Sequence, residues 1–182
     1  MKVIGVVGLP ASGKGEFSKI ATGMGVPVIV MGDVIRNAVK EGGLDPTDAN
    51  LGAMANKLRT ERGMDAIAHL CVPEIQRQTA PLVLVDGIRG DAEVAMFRRI
   101  FPGFTLISID SSFETRLARI KERGRSDDFG TADKLRARDL REMGWGLGNA
   151  LKDADVHLSN EGTLAAFLVA AHNLLDTIGR DP

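Results

Sequence analysis

The sequence lacks tyrosine and has only one cysteine and one tryptophan, and aromatic residues make up 4% of its 182 positions. Because Cys71 has no second cysteine to pair with, no internal disulfide can form, as suits a reducing cytoplasm. No apolar run approaches the roughly 20 residues that a membrane-spanning helix needs. Scarce aromatic rings argue against base stacking on single-stranded nucleic acid. We therefore expect a cytoplasmic protein that partners neither a membrane nor a nucleic acid, with Cys71 a small buried residue of a helix.

The composition is that of one globular domain spanning residues 1–182. Hydrophobic residues make up 44% and charged residues 26% of the chain, and the formal net charge is −1. This length can bury a substantial core. Because the overall charge is close to zero, any electrostatic site must be a local one.

The stretch Gly8–Gly15 predicts a phosphate-binding loop. It follows an apolar run, Val3–Val7, and precedes a helical pattern. The spacing of Gly8, Gly13 and Lys14 fits G-x-x-x-x-G-K, in which backbone N–H groups and a helix N-terminus surround a triphosphate. Lys14 would place a positive charge at the terminal phosphates. The match is incomplete, because Gly15 stands where this pattern has serine or threonine.

Alternating apolar runs and helical patterns predict a parallel α/β sheet. The run Pro81–Asp86 ends in an acid at the carboxyl edge of its strand, where ligands bind in such sheets. Asp86 can hold Mg²⁺ through the waters that this ion gives up reluctantly. The five predicted strands are Val3–Val7, Val26–Val30, Pro81–Asp86, Phe104–Asp110 and an edge strand, Asp155–Ser159.

Capping residues predict several helix boundaries. Asp33 is placed to cap a helix that opens at Met31, and Thr47 or Asp48 can cap another that runs through Arg62. Thr163 caps a final helix, which Gly179 should end. Between residues 38 and 79 no strand is evident, so this block of helices is either a mobile excursion or a set of crossover helices.

A cationic segment runs from Arg116 to Arg141 in a chain that is otherwise neutral. Such a local excess suits the stabilisation of charge in a phosphoryl-transfer transition state. A solvated helical face and a single-stranded nucleic acid site are the alternative interpretations. The polar break at residues 124–130 suits a hinged lid.

Three segments after the phosphate loop carry a family resemblance: Gly32–Arg36, Asp86–Arg89 and Arg125–Asp128. In this order they resemble the adenylate kinase branch of the P-loop nucleoside monophosphate kinases. The chain is more closely similar to a family of archaeal P-loop kinases related to adenylate and dephospho-CoA kinases. That closer resemblance is carried by Leu58–Asp65, Arg138–Gly148 and Ala154–Thr163.

The resemblance implies a three-layer α/β/α P-loop fold with a five-stranded parallel sheet in the order 2-3-1-4-5. It implies a helical acceptor-binding insertion at about residues 32–65 and a short lid at about 120–140. The expected cofactors are ATP and Mg²⁺, the expected partners are small-molecule nucleotide substrates, and the expected assembly is a monomer or homodimer.

The resemblance also implies a role for each matched residue. Asp33 and Arg36 would lie in the acceptor segment, with Arg36 and Arg89 gripping the acceptor phosphate, and Asp86 would organise the Mg²⁺ waters. The catalytic cations would be Lys14, the lid residues Arg125 and Arg136, and the adjacent Arg119. The residues expected to hold the ATP phosphates are Gly8, Leu9, Pro10, Ala11, Ser12, Gly13, Lys14, Gly15 and Glu16.

Three positions depart from the adenylate kinase pattern. Glu16 replaces a hydroxyl residue near the nucleotide phosphates, and Ile88 replaces the proline before the second acceptor arginine. Glu93 stands where adenylate kinases read adenine with glutamine. A carboxylate only accepts hydrogen bonds, so the match to adenine is weakened at this position.

The sequence therefore predicts an enzyme that moves the γ-phosphoryl group of ATP to a nucleoside monophosphate. One alternative is phosphorylation of a sugar hydroxyl, as in dephospho-CoA kinases, which would need a base, with Asp33 the best-placed candidate. An alternative of another class is an ATP-dependent switch or RNA-associated factor. Paired acceptor arginines at Arg36 and Arg89 favour a kinase over a switch.

Overall fold

The computed structural model describes residues 1–123 and 131–180. In these ranges no helix is long and apolar enough to cross a membrane. The strands are β1 (Lys2–Val7), β2 (Val28–Val30), β3 (Leu82–Ile88), β4 (Thr105–Asp110) and β5 (Val156–Ser159). The helices are α1 (Lys14–Gly23), α2 (Met31–Glu41), α3 (Asp48–Arg62), α4 (Ala66–Gln76), α5 (Asp91–Ile100), α6 (Phe113–Arg123), α7 (Ala132–Met143), α8 (Leu147–Lys152) and α9 (Leu164–Arg180).

The five strands form one parallel sheet in the order β2-β3-β1-β4-β5. This confirms both the predicted order and the edge position of β5. In the pairing of β1 with β3, Val7 lies opposite Ile88 after a register shift. The segments that follow these two residues therefore leave the same edge of the sheet side by side.

Alternate residues of the central strands pack into two apolar layers. Val3 and Val83 contact the layer that holds Phe97, while Ile4 and Leu84 contact the layer that holds Phe17. Successive side chains of a strand point to opposite faces, so a strand covered on both faces becomes almost continuously apolar. The helices thus form the two outer layers of an α/β/α sandwich.

The capping predictions were right at two helices and wrong at a third. Thr47 accepts a hydrogen bond from the Asn50 backbone N–H (3.3 Å), and Thr163 accepts one from Ala166 (3.2 Å). The prediction for Asp33 was wrong. Helix α2 begins at Met31, so Asp33 lies inside the first turn and does not cap the helix. Its carboxylate accepts a hydrogen bond from Arg36 instead.

Two further sequence predictions can be compared with the structure. α9 continues through Gly179 to Arg180, so the predicted end at that glycine was wrong. Cys71 is fully buried on α4, as expected, and burial raises the pKa of its thiol to about 12.

Three helices, α2, α3 and α4, connect β2 to β3. The first two cover most of the predicted acceptor-binding insertion, residues 32–65. The predicted lid, residues 120–140, comprises the end of α6, the start of α7 and residues 124–130, which lie outside the described ranges. The division into insertion and lid stays a prediction.

Phe97 should be one of the side chains on which stability depends most. It is fully buried, and its ring stacks with Phe104 at a centroid distance of 5.6 Å. We expect Phe97→Ala to lower the free energy of unfolding by about 3–5 kcal/mol, because truncation leaves a cavity between helix and sheet. Urea denaturation measures this, with the exposed Leu140→Ala as the control. A loss below about 1 kcal/mol would contradict the packing described.

Candidate functional site

The loop between β1 and α1 has the backbone geometry of an anion cradle. Ala11 has a φ of 62° and Gly13 a φ of 117°, so the backbone takes a positive φ on both sides of Ser12. A Cβ added at Gly8 would lie 2.5 Å from the Ser12 Oγ and 2.9 Å from the Ile109 carbonyl oxygen. The first N–H groups of α1 have no intrahelical acceptors and carry the positive end of the helix dipole. The loop is therefore suited to a polyphosphate.

Three donors hold the Ser12 carbonyl oxygen from behind the cradle. Asn160 Nδ2 donates at 2.8 Å, Ser111 Oγ at 3.1 Å and Arg119 Nη1 at 3.3 Å. In a trans peptide the N–H of the next residue points opposite to the carbonyl, so these bonds fix the direction of the Gly13 N–H. Arg119 also donates to Asn160 through Nη2, at 2.8 and 3.0 Å. The structure thus places Arg119 as a brace of the loop, and contact with a transferred phosphoryl group stays a prediction.

Arg116 braces the same loop two peptides earlier. Its Nη1 donates to the Pro10 carbonyl oxygen at 3.2 Å, which directs the Ala11 N–H the other way. Its guanidinium also makes a two-pronged ion pair with Asp139 of α7, at 2.9 and 2.7 Å. Arg116 is 2% exposed and the Asp139 side chain 16%, so this largely buried pair connects α7 to the phosphate loop.

Lys14 folds back over the loop. Its Nζ donates to the carbonyl oxygens of Gly8 (2.6 Å) and Leu9 (3.0 Å). Burial, assisted by the Arg89 cation, lowers the pKa of Lys14 to about 7, while Glu142 and Asp86 act in the opposite direction. An anion bound in the cradle would favour the charged amine.

Asp86 is the last residue of β3 that pairs with β2. A serine hydroxyl donates a hydrogen bond to its carboxylate. Ser18 Oγ, one turn into α1, donates to Asp86 Oδ2 at 2.8 Å. The usual hydroxyl residue of the loop pattern is replaced by Gly15. The hydroxyl of α1 that reaches this carboxylate is therefore that of Ser18. Among the described residues no group of three or more metal-ligating side chains occurs. One oriented carboxylate beside a phosphate cradle fits Mg²⁺, which keeps several waters and takes its other ligands from phosphates.

Glu16 lies at the exposed start of α1. Its Oε1 accepts a hydrogen bond from Lys19 Nζ at 2.8 Å. The negative charge that the sequence places near the phosphate loop therefore has a cationic neighbour, in an exposed pair that solvent screens.

Beside the loop, a pocket of about 610 Å³, including its open mouth, lies between α2, α3, α7 and the end of β3. Five arginines against three carboxylates give its lining a formal surplus of two positive charges. The charged lining residues are Arg36, Arg59, Arg89, Arg138, Arg141, Asp48, Glu93 and Glu142.

Arg36 lies on α2 and is the more exposed of the two predicted acceptor arginines. Its Nε donates to Asp33 Oδ1 at 2.9 Å, and both side chains are about half exposed. This surface pair is weak, so its guanidinium can exchange Asp33 for a ligand at little cost.

Arg89 is held at two points. Its backbone N–H donates to Glu93 Oε2 at 2.7 Å, and its Nη1 donates to Glu142 Oε2. Glu142 is 2% exposed, and its other oxygen accepts from Arg138 Nε at 2.9 Å. Although burial acts to raise it, the cations Arg89, Arg138 and Lys14 hold the pKa of Glu142 below its ordinary value.

Glu93 is fully buried beneath the pocket, and both of its oxygens are used. Oε1 accepts from Arg59 Nη2 at 2.7 Å, and Oε2 from the Arg89 N–H. Burial raises the pKa of Glu93, and Arg59 opposes this shift. Its carboxylate therefore anchors two pocket residues, and direct contact with an acceptor stays a prediction.

Trp145 covers Arg59 from the side of α7. The guanidinium carbon of Arg59 lies 4.3 Å from the indole centroid, and that of Arg141 lies 5.8 Å from it. The indole Nε1 donates to Asn56 Oδ1 at 2.7 Å, which fixes the ring. Arg59 Nε and Nη1 are buried without a hydrogen-bond partner among the described residues, so the π face is what they meet.

A two-pronged ion pair joins two walls of the pocket. Arg141 of α7 donates to both oxygens of Asp48 at the start of α3, at 3.0 and 2.8 Å. Such paired bonds fix orientation as well as distance. The helix α7, which is joined to the phosphate loop through the Arg116–Asp139 pair, therefore also contacts α3 in the wall of the pocket.

The structure brings together most, but not all, of the predicted site residues. Lys14, Asp86, Arg36, Arg89 and Glu93 lie around the loop and pocket. Arg136 is not among the pocket lining: its side chain is 62% exposed, 3.5 Å from Asp133, with its guanidinium carbon 5.0 Å from the Phe113 ring centroid. Arg125 lies outside the described residues.

Sequence reasoning missed several pocket residues. Arg138, Arg141 and Trp145 recur at the spacing of one helix face, and Glu142 stands four residues after Arg138. That pattern could have indicated an ordered charged face instead of a free cationic surplus. The pairing of Ser18 with Asp86 spans 68 positions, and no local pattern indicates it.

The fold and the loop define the class. The structure superposes with a TM-score of 0.63 on TT1252 from Thermus thermophilus (20% identity, 97% of each chain). It superposes with a TM-score of 0.62 on a dephospho-CoA kinase from Campylobacter jejuni (17% identity, 99% and 98% of the chains) and 0.62 on a shikimate kinase from Bacteroides thetaiotaomicron (14%, 97% of each). The chain thus has the P-loop fold that kinases share.

The sequence comparisons identify the family. A family model described as an AAA domain (AAA_18) matches residues 4–142. The chain is 66% identical to a UPF0200 protein of Methanoregula boonei over the full length of both, and 62% identical to one of Methanoculleus marisnigri over 98% of each. The chain belongs to the UPF0200 family, within the broader AAA_18 family. The predicted archaeal family is confirmed by these relatives.

Polyphosphate binding should place a proton on Lys14. With the pKa of Lys14 at about 7, the amine is largely neutral at higher pH, and a bound anion restores its charge. Binding of ADP should therefore take up as much as one proton, and its affinity should fall up to about tenfold per pH unit above that pKa. Calorimetry in two buffers of different ionisation enthalpy measures the uptake, and Lys14→Arg, permanently charged, is the control. Equal heats in both buffers at about pH 8 would contradict the assignment.

Proposed function

We propose that this protein is an ATP-dependent phosphotransferase whose acceptor is an already ionised group, with a nucleoside monophosphate as the expected substrate. The observation that carries the proposal is an arginine-lined pocket directly beside a phosphate loop. Val7, which precedes the loop, pairs with Ile88, which precedes Arg89. Two adjoining anion sites are what transfer between two phosphates requires.

On the donor side, the loop and Lys14 would bind the ATP phosphates. Bound Mg²⁺ would neutralise charge on the β- and γ-phosphates. Asp86 would hold that ion through its waters, and Ser18 fixes the carboxylate for this purpose. Arg116, Arg119 and Asn160 support the amide groups of the cradle by binding its carbonyl oxygens from behind.

On the acceptor side, Arg36 and Arg89 would grip the phosphate. The three carboxylates of the pocket lining, Asp48, Glu93 and Glu142, all bind arginines. Glu142 is a poor proton acceptor, because Arg89, Arg138 and Lys14 hold its pKa below the ordinary value. Both oxygens of Glu93 are occupied, by Arg59 and by the Arg89 N–H. This supports an acceptor oxygen that needs no base and weighs against a sugar hydroxyl.

The remaining proposed roles rest on the resemblance to adenylate kinases. Arg125 and Arg136 would act as cations that approach the transferred phosphoryl group in the closed enzyme. Arg36 and Arg89 also separate this proposal from a nucleotide switch, since a switch has no acceptor phosphate to bind.

A screen for ADP production identifies the acceptor. Purified protein, ATP and Mg²⁺ are incubated with each nucleoside monophosphate and with dephospho-CoA, with acceptor-free and RNA-containing reactions as controls. We expect ADP formation that depends on a monophosphate. Turnover only with dephospho-CoA would favour hydroxyl phosphorylation, and turnover stimulated only by RNA would contradict the kinase proposal.

Removal of the loop cation should abolish transfer. We expect Lys14→Ala to lower kcat about 10²–10³-fold or more, because the variant loses the charge that lies over the loop carbonyls of Gly8 and Leu9. Lys19→Ala, which removes an exposed lysine of the same helix, is the matched control. Near-normal turnover of Lys14→Ala would remove the central assignment.

Loss of an acceptor arginine should act chiefly on the acceptor. We expect Arg36→Ala and Arg89→Ala each to raise the acceptor KM about tenfold to a hundredfold, the worth of a charge-assisted hydrogen bond. Steady-state kinetics with each substrate varied in turn measures this. Arg98→Ala, whose guanidinium pairs with Asp153 and Asp155 outside the pocket, is the control. An effect confined to the KM for ATP would show that the acceptor site is misplaced.

A further inference from the structure

We propose that Glu142 is a positioning residue that orients Arg89 and Arg138 in the acceptor pocket and thereby sets the affinity for the acceptor's anionic group. This inference extends the proposed function and depends on it only for the identity of the acceptor. That the pocket binds an oxyanion is tested independently of turnover.

The geometry of Glu142 is that of a bridge between two cations. One carboxylate oxygen accepts from Arg89 Nη1 and the other accepts from Arg138 Nε at 2.9 Å. Glu142 is 2% exposed, whereas the side chain of Arg89 is 21% exposed. The carboxylate therefore lies beneath the guanidinium, and the exposed part of Arg89 is left for a ligand.

The two anchors of Arg89 act on different parts of the residue. Glu93 holds its backbone N–H, and Glu142 holds the end of its side chain. Between these points the side chain has little rotamer freedom left to lose when an anion binds. Such preorganisation increases affinity by lowering the entropic cost of binding.

Charge balance requires an anion at this position. Without the Glu142 carboxylate, Arg89 and Arg138 would be neighbouring cations in a partly buried site and would repel each other. The same carboxylate acts to raise the pKa of Lys14, so its field also reaches the phosphate loop. Because Glu142 stays ionised, it can hold both arginines throughout the physiological pH range.

If only charge is considered, Glu142 could instead compete with the ligand for Arg89, and this role predicts the opposite result. If Glu142 merely competed with the ligand for Arg89, its neutralisation would leave the pocket more positive and tighten anion binding. The burial of Glu142 and its use of a single Arg89 nitrogen favour positioning over competition.

The protein carries a reporter for this test. Trp145 is the sole tryptophan, and its ring contacts Arg59 and Arg141 in the pocket lining. Its fluorescence is followed while inorganic phosphate, or AMP, is added to protein whose phosphate loop is filled with ADP. The variants are Glu142→Gln, which keeps the shape but not the charge, and Glu142→Asp, which keeps the charge. Asp153→Asn, which removes an acid paired with Arg98 outside the pocket, is the control.

We expect Glu142→Gln to weaken binding of the phosphate probe about tenfold or more, Glu142→Asp to weaken it less, and Asp153→Asn to leave it unchanged. Unchanged or tighter binding in Glu142→Gln would overturn the proposal. Absence of phosphate binding to the native protein, by Trp145 fluorescence and by calorimetry alike, would overturn it as well, because the pocket would then not bind an oxyanion.

A second measurement separates positioning from general stability. ADP affinity and the melting temperature are recorded for each variant at about pH 6, where Lys14 is protonated. Positioning predicts that ADP affinity falls much less than phosphate affinity, since Glu142 reaches Lys14 only through its field, whereas an equal loss of both would overturn it. Phosphate binding without ADP production in the screen would contradict the proposed function but leave the role of Glu142 standing.

Discussion

The parallel pairing of β1 with β3 is the constraint on which the site depends. The strands end side by side, with Val7 opposite Ile88, so the phosphate loop after one strand lies next to Arg89 after the other. Both strands are buried in the centre of the sheet, which makes their separation costly. The separation of the phosphate loop from the Arg89 backbone is therefore set by backbone hydrogen bonds of the core and not by flexible side chains.

Around that core, cations are arranged in pairs with carboxylates. Arg116 binds Asp139, Arg141 binds Asp48, and Glu142 bridges two arginines. Fixed pairs of this kind keep positive side chains in place in the absence of a ligand, when unpaired neighbours would repel one another. An anionic ligand then meets groups that are already oriented, and little reorganisation accompanies its binding.

Sequence reasoning succeeded where the information is local. The glycines of the loop and Lys14 follow from short-range spacing, whereas the order of the strands came from the resemblance to P-loop kinases. It failed where chemistry depends on packing between distant segments: Ser18 meets Asp86, and Arg59 meets Glu93, only after the chain has folded. Arg119 shows the same limit, because its charge was evident but its attachment to Asn160 was not.

The spacing within α7 has a consequence for how the chain can vary. Asp139 and Glu142 stand three residues apart on one helix, and they bind Arg116 behind the loop and Arg89 in the pocket. One residue inserted between them would rotate the second carboxylate by about 100° and translate it by about 1.5 Å. Natural insertions and deletions in this family should therefore fall outside residues 139–142, even where the amino acids of this segment differ between relatives.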